Sequence, residues 1–218
     1  MDIDSIKNYL QDADPQKRMK AILELRQYDT EIAVPLLINS IDDNEFLVRS
    51  FVAMGLGKKR NAESFASLLK MMKLDRDPNV RAEAANSLSY YGEVAVSHLS
   101  VMFKQDDHWL VRRSILAALA ELNCPAELLE VASIGIAGDD FSVMESSLDC
   151  LSTLHHTEQQ QSALEQLLRF VDHDSWRIRL RVAKSLGQFE DPKATEALQR
   201  LKEDSDHRVV GAVLDSLV

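Results

Sequence analysis

Apolar and polar residues along the chain recur with the 3.6-residue period of an amphipathic helix, and the pattern restarts about every 31 residues. The clearest copy runs Asp77-Pro78-Asn79-Val80-Arg81 and continues with Ala84, Ala85 and Leu88: a turn acid, a branched apolar residue, an arginine, then apolar residues three, four and seven places later. With the place of Arg81 taken as position zero, seven successive copies put Arg18, Arg49, Arg81, Arg112, Met144, Arg179 and Val210 there, at spacings of 31, 32, 31, 32, 35 and 31. The triads at +3, +4 and +7 are Ala21/Ile22/Leu25, Val52/Ala53/Leu56, Ala84/Ala85/Leu88, Ile115/Leu116/Leu119, Ser147/Leu148/Leu151, Val182/Ala183/Leu186 and Val213/Leu214/Leu217. Each triad is one buried stripe of a helix.

A second helix precedes each stripe, over residues 32–41, 63–73, 94–104, 126–136, 162–171 and 195–203. The unit is helix A, a tight turn, helix B. Pro15 and Pro78 fall at the first position of helix B, where a missing N–H costs nothing, and Asp14, Asp77, Asp140, Ser175 and Asp206 precede that position as N-caps. Gly57, Gly92 and Gly187, near the ends of B helices, suit left-handed caps. A single helix pair of this size cannot bury its own stripe, so stacking of copies must supply the core. The expectation is an all-α solenoid of about seven helix pairs, with residues 1–218 as one domain and helix B on the inner face.

Composition narrows the functional classes. Lys+Arg 25 against Asp+Glu 35 gives a net charge of −10, which disfavours nucleic acid as a partner. The acidic start MDIDSIKNYL lacks the basic head of a signal peptide, and the apolar stretches 32–41 and 131–138 fall short of the roughly 20 residues that span a bilayer. A cytoplasmic protein without membrane insertion is expected. The two cysteines, Cys124 and Cys150, have no metal or disulfide spacing, and both are expected on packing faces, not as nucleophiles. The six histidines are scattered and form no HExxH, so no metal site is expected. Gly55-Leu56-Gly57-Lys58-Lys59 lacks the preceding strand and the spacing of a phosphate loop. No nucleophile or dinucleotide motif occurs, and catalytic residues stay unassigned.

The arginines at position zero read as braces between copies, each stem lying on apolar surface and each fork aimed at a neighbouring turn acid. Phe46, Trp109, Phe141 and Trp176, at the first position of helix B, read as packing within the A–B turn. More informative are positions −2, +2, +5 and +9, which point away from the stripe at 100° per residue. They hold Leu23, Leu47, Phe51 and Met54 in the first two copies, Tyr90 in the third and Leu110 in the fourth. In the sixth they hold Arg177, Arg181 and Lys184, followed by Arg208 in the seventh. This is a candidate partner-binding groove with one apolar and one basic end, suited to a protein surface or a carboxylate ligand.

The short repeat D-x-x-V-R-x-x-A-A-x-x-L, clearest in the third copy and in Ile178, Arg179, Val182, Ala183, Leu186 and Gly187 of the sixth, resembles the HEAT-like repeats of the phycobilisome-lyase group. The resemblance spans nearly the whole chain. That group includes bilin lyases, phycobilisome degradation proteins and plain scaffolds. The resemblance therefore implies a protein-binding solenoid whose partner is a phycobiliprotein subunit, with no resident cofactor and a bilin as transient ligand, serving chromophore attachment, removal or antenna turnover. A general scaffold for another protein is the alternative. A HEAT-like DNA glycosylase, the strongest nucleic-acid reading, is opposed by the charge balance. The chain departs from the repeat at Met144 and Val210, and the long fifth spacing enlarges the loop at His155–Gln161.

Overall fold

The computed structural model describes residues 1–216; Leu217, the last member of the seventh triad, lies outside them. Among the described residues there are fourteen α-helices and no strand: α1 (Ile3–Leu10), α2 (Pro15–Glu24), α3 (Thr30–Ile38), α4 (Phe46–Lys58), α5 (Ala62–Leu74), α6 (Pro78–Ser89), α7 (Val96–Gln105), α8 (Trp109–Ala120), α9 (Pro125–Ile136), α10 (Phe141–Ser152), α11 (Gln160–Leu168), α12 (Trp176–Leu186), α13 (Pro192–Leu201) and α14 (His207–Ser216). Odd-numbered helices are the A helices and even-numbered ones the B helices. The first copy also has its helix A, α1, which the apolar pattern does not single out. None of these helices is long and apolar enough to cross a membrane.

The chain forms two compact units, Met1–Leu122 and Asn123–Val218. In the first, α2, α4, α6 and α8 pack side by side as one layer against a second layer of α3, α5 and α7. In the second, α10, α12 and α14 form one layer and α9, α11 and α13 the other. Every triad member of the first six copies is buried. In the seventh, Val213 is buried but Leu214 is 48% exposed. Among the described residues no helix follows α14.

Local chemistry sets the helix starts. Asp14, Asp77 and Asp140 accept the N–H groups of Gln16, Asn79 and Ser142, and Asp206 accepts from that of Arg208. Ser175 occupies the cap position of α12 without a side-chain bond. Of the three glycines expected to be left-handed, only Gly92 is, at φ 71°. Gly57 lies inside α4 and Gly187 is right-handed; both are required by close approach instead. A Cβ on Gly57 would sit 2.7 Å from that of Ser87, and one on Gly187 would sit 2.4 Å from that of Ser216. Position +8 of one B helix thus rests on position +6 of the next.

The position-zero arginines link adjacent copies. Arg18 reaches Asp43, Arg49 reaches Asp75, Arg81 reaches Asp106 and Arg179 reaches Asp204, each with Nε donating to Oδ2 at 2.7 Å and Nη2 donating to Oδ1. Nη1 of each donates to carbonyls of its own A–B turn, those of Asp12, Asp43, Asp75 and His173 among them. The acceptor aspartates also cap their own turns, taking the N–H groups of Glu45, Asp77, His108 and Asp206. One fork therefore ties two turns and the start of the next helix B. Where Met144 replaces the arginine, the next turn has His173 in place of the aspartate. Its Nδ1 accepts the Ser175 N–H at 3.0 Å and keeps the turn capped without a guanidinium. Arg112 donates through Nε to its own turn, at the Asp106 carbonyl, and lies over the Phe103 ring.

Two outcomes follow from this packing. Leu88 is fully buried, so Leu88→Asp places an unpaired carboxylate in the core and costs several kcal/mol; a large fall in Tm is expected, and an unchanged Tm would contradict the assigned stripe. The second concerns acid. Arg179 holds the Asp204 carboxyl below its ordinary 3.8. At Asp75 burial pushes upward, but Arg49 and the Asp77 N–H outweigh it and the net direction is down. A carboxylate with a lowered folded pKa stabilises the native state above its unfolded pKa, and that contribution is lost as pH falls through the folded value. Urea unfolding should therefore find Asp204→Asn less stable than wild type at neutral pH, with the gap narrowing as pH falls below the ordinary aspartate range and through the lowered folded pKa; a gap independent of pH would refute the linkage.

Candidate functional site

The outward registers of helix B carry the sequence-predicted residues, the apolar ones in the first unit and the basic ones in the second. On the first, Leu47 of α4 is 48% exposed and Tyr90, just after α6, is 43% exposed. Leu23, Phe51, Met54 and Leu110 are half-buried on the same registers. They escape the core because positions −2, +2, +5 and +9 lie opposite the triads. Tyr90 is covered on one face by the Lys58 ammonium, 4.0 Å from the ring centroid, and its carbonyl accepts from Arg60. Lys58 and Tyr90 both occupy position +9, in neighbouring copies.

This face also carries Glu83, at the +2 position that Phe51 holds one copy earlier. Its surroundings strip water from the carboxyl and push its pKa up, with Lys58 offsetting part of the shift. The apolar pattern passes over Glu83 because its outward register mixes residue types. Reading position +2 in all copies, Lys20, Phe51, Glu83, Ser114, Ser146, Arg181 and Ala212, brings it into view.

The basic face in the second unit is partly neutralised from within. Arg181 of α12 pairs with Asp149 of α10, Nη1 to Oδ2 at 2.8 Å. Arg208 pairs with Asp206 and lies 3.2 Å from the Trp176 ring centroid. Arg177 and Lys184 are exposed and form no ion pair among the described residues. Asp149 is a second carboxylate that the pattern misses; desolvation holds its pKa up against the pull of Arg181.

The aromatics at the first position of helix B are partly exposed, and two of them lie against turn histidines: Trp109 stacks on His108 of its own turn, and Phe141 meets His173 of the next A–B turn edge-on. Phe46, Trp109 and Phe141 are 36%, 42% and 40% exposed, and Trp176 is half-buried beneath Arg208. In braced copies the turn is occupied by the arginine fork.

Other chemistry-bearing groups have structural surroundings. Burial pushes the Cys124 thiol up to about 11 and the Cys150 thiol up to about 12, so neither forms appreciable thiolate at neutral pH. Both are free of disulfides. Among the described residues no three His, Cys, Asp or Glu side chains converge as metal ligands. In the enlarged loop the rings of His155 and His156 are 4.1 Å apart, and Nδ1 of His155 lies 2.8 Å from the Ser152 carbonyl oxygen. Two surface clefts of about 280 and 410 Å³ lie at equivalent ledges and are lined by Arg49 with Asp75 and by Arg179 with Asp204, the braces themselves.

A family model described as HEAT repeats matches residues 34–120 and 136–218. Deoxyhypusine hydroxylase of Candida glabrata is 33% identical over 102 residues, 46% of this chain and 32% of that protein, so the match spans about a third of the length of this curated relative. Among solved structures, the E. coli protein YibA superposes with a TM-score of 0.64 at 15% identity, covering 100% of this chain and 92% of that one. The complex of CpcE and CpcF of phycocyanin lyase from Nostoc sp. PCC7120 superposes with a TM-score of 0.54 at 20% identity, covering 98% of this chain and 93% of that one. At these identities the two superpositions establish the fold. With the stacked helix pairs and a family model covering most of its length, the chain belongs to the HEAT-repeat family.

Proposed function

We propose that this chain is a protein-interaction module that seats its partner on the outward faces of its B helices, as one repeat domain over residues 1–218. The observation that carries this reading is the half-exposed apolar cluster of Leu47, Phe51, Met54 and Tyr90, on registers that the core does not use. The unbroken repeat spacing from Arg112 to Met144 supports treating both units as one domain. In its specific form, the proposal takes a phycobiliprotein or its bilin as the occupant, for chromophore attachment, removal or phycobilisome turnover in the cytoplasm. The lyase-like repeat motif supports it, and Arg177 and Lys184 supply cations for a carboxylate. The second reading is a scaffold for another protein with no bilin chemistry. It is favoured by the ion pairs of Arg181 and Arg208, which engage two of the four cations on this face with carboxylates of the chain itself.

Absorbance and fluorescence after mixing with free phycobilin, and with apo- and holo-phycobiliprotein, separate the two readings. A spectral shift or complex is expected under the first, and no change with any of the three leaves the scaffold reading. For a verified partner, Phe51→Ala should weaken binding by about 2 kcal/mol, as truncation of a buried aromatic anchor does, while leaving Tm unchanged. Because Arg181 is already engaged, steering is tested at the exposed cations. Arg177→Glu with Lys184→Glu should slow association at low salt, with the difference shrinking at high salt. If neither set changes affinity or on-rate, the helix-B faces are not the binding surface.

A further inference from the structure

The outward face of the first unit carries a charge that the fold leaves uncompensated. Across positions −2, +2, +5 and +9 of the second to fourth copies, the acidic residues are Glu83 and Glu121 and the basic one is Lys58. Glu121 is exposed, whereas Glu83 is half-buried on α6. The Glu83 carboxyl has no hydrogen-bond donor among the described residues; desolvation pushes its pKa up, and the charge of Lys58 pulls the other way. Lys58 does not close on it as an ion pair, because its ammonium lies over the Tyr90 ring, 4.0 Å from the centroid. Asp149 provides the internal comparison: its carboxyl is also desolvated and raised, but Arg181 of the next B helix binds it at 2.8 Å. Glu83 is the carboxylate of this kind that lacks a guanidinium.

Its neighbours on that face are apolar. Helices α4 and α6 pack side by side, with Gly57 of one close against Ser87 of the other, so their outward registers form one continuous surface. Phe51 and Met54 come from α4, both half-buried, and Glu83 from α6. An apolar partner seated there would take the carboxylate further from water without a counter-charge, and an acidic one would add repulsion; both are unfavourable. A cation at Glu83 would instead form a charge-assisted hydrogen bond in a site already partly stripped of water, where the attraction is stronger than at an exposed pair. The net charge of −10 draws the same class of partner from a distance.

We infer that the protein segment seated on this face carries a lysine or arginine that pairs with Glu83, next to a large apolar side chain that lies on Phe51 and Met54. The inference rests on the helix-B reading of the first unit and names the chemistry its partner must have. A charge that is uncompensated in the free chain thereby becomes a specificity element in the complex, rejecting acidic and purely apolar segments.

Selection of random peptides displayed on phage against the immobilised full chain at neutral pH tests it. Wild type should enrich sequences in which lysine or arginine sits beside leucine, phenylalanine or tryptophan. In fluorescence polarisation the best such peptide should bind Glu83→Gln at least about ten-fold more weakly, whereas Glu121→Gln, at the exposed carboxylate, should change its Kd by less than about two-fold. Replacing the peptide's cation by norleucine should cost a similar factor on wild type and little on Glu83→Gln, the signature of a direct pair. The Tm of Glu83→Gln at neutral pH should equal or exceed that of wild type, because a desolvated charge is removed. A lower Tm would mean that the carboxylate is already paired within the chain, and overturns the inference. So do selected peptides that depend on Phe51 but carry no cation, or whose cation is indifferent to Glu83→Gln; the helix-B reading survives either result. Enrichment of nothing that weakens in Phe51→Ala overturns that reading and this inference together.

Discussion

The repeat-to-repeat guanidinium fork, made by Arg18, Arg49, Arg81 and Arg179, is the contact that fixes adjacent copies against each other wherever it occurs. A helix pair buries its stripe only against neighbours, and apolar stripes alone tolerate sliding by a turn. The fork removes that freedom, because Arg49 binds both oxygens of Asp75 while donating to the carbonyls of its own turn at Asp43 and Asn44. Both partners are nearly out of water, with side chains 5% and 7% exposed. Such a pair adds little net stability over an apolar replacement, but breaking it by removing one side is costly. Its main contribution is to the relative position of adjacent copies.

Fixing the stripe and the turns leaves the outward registers free to vary, and there the two units diverge. The first presents Leu47, Phe51, Met54 and Tyr90 together with Glu83, whose carboxyl pKa is raised by burial. The second presents Arg177 and Lys184 beside the engaged Arg181 and Arg208. A scaffold with a constant core and a variable face is suited to recognising proteins. Substitutions at exposed, unpaired positions such as Arg177 and Lys184 leave the buried triads and the forks in place.

The fold was legible in the sequence because its governing signal is periodic and local. The triads, the turn prolines and most aspartate caps could be placed from spacing alone. What escaped depends on neighbours not adjacent in sequence. Gly57 and Gly187 look like helix ends until Ser87 and Ser216 are seen pressing against them. Leu214 fits the stripe and is nevertheless 48% exposed. Arg181 and Arg208 are basic by composition, yet Asp149 and Asp206 engage them. The charge state of the outward registers depends on cross-helix partners that one-dimensional spacing does not pair.

A double-mutant cycle on Arg49 and Asp75, followed by urea unfolding at neutral pH, tests the brace most directly. Arg49→Met and Asp75→Leu should each cost about 3–5 kcal/mol, since each leaves a buried charge without its partner. The double variant, which removes both charges together, should lose less than the sum by about 2 kcal/mol or more. Costs that add to within about 0.5 kcal/mol would show that the two side chains act independently, and would contradict the claim that this fork couples one copy to the next.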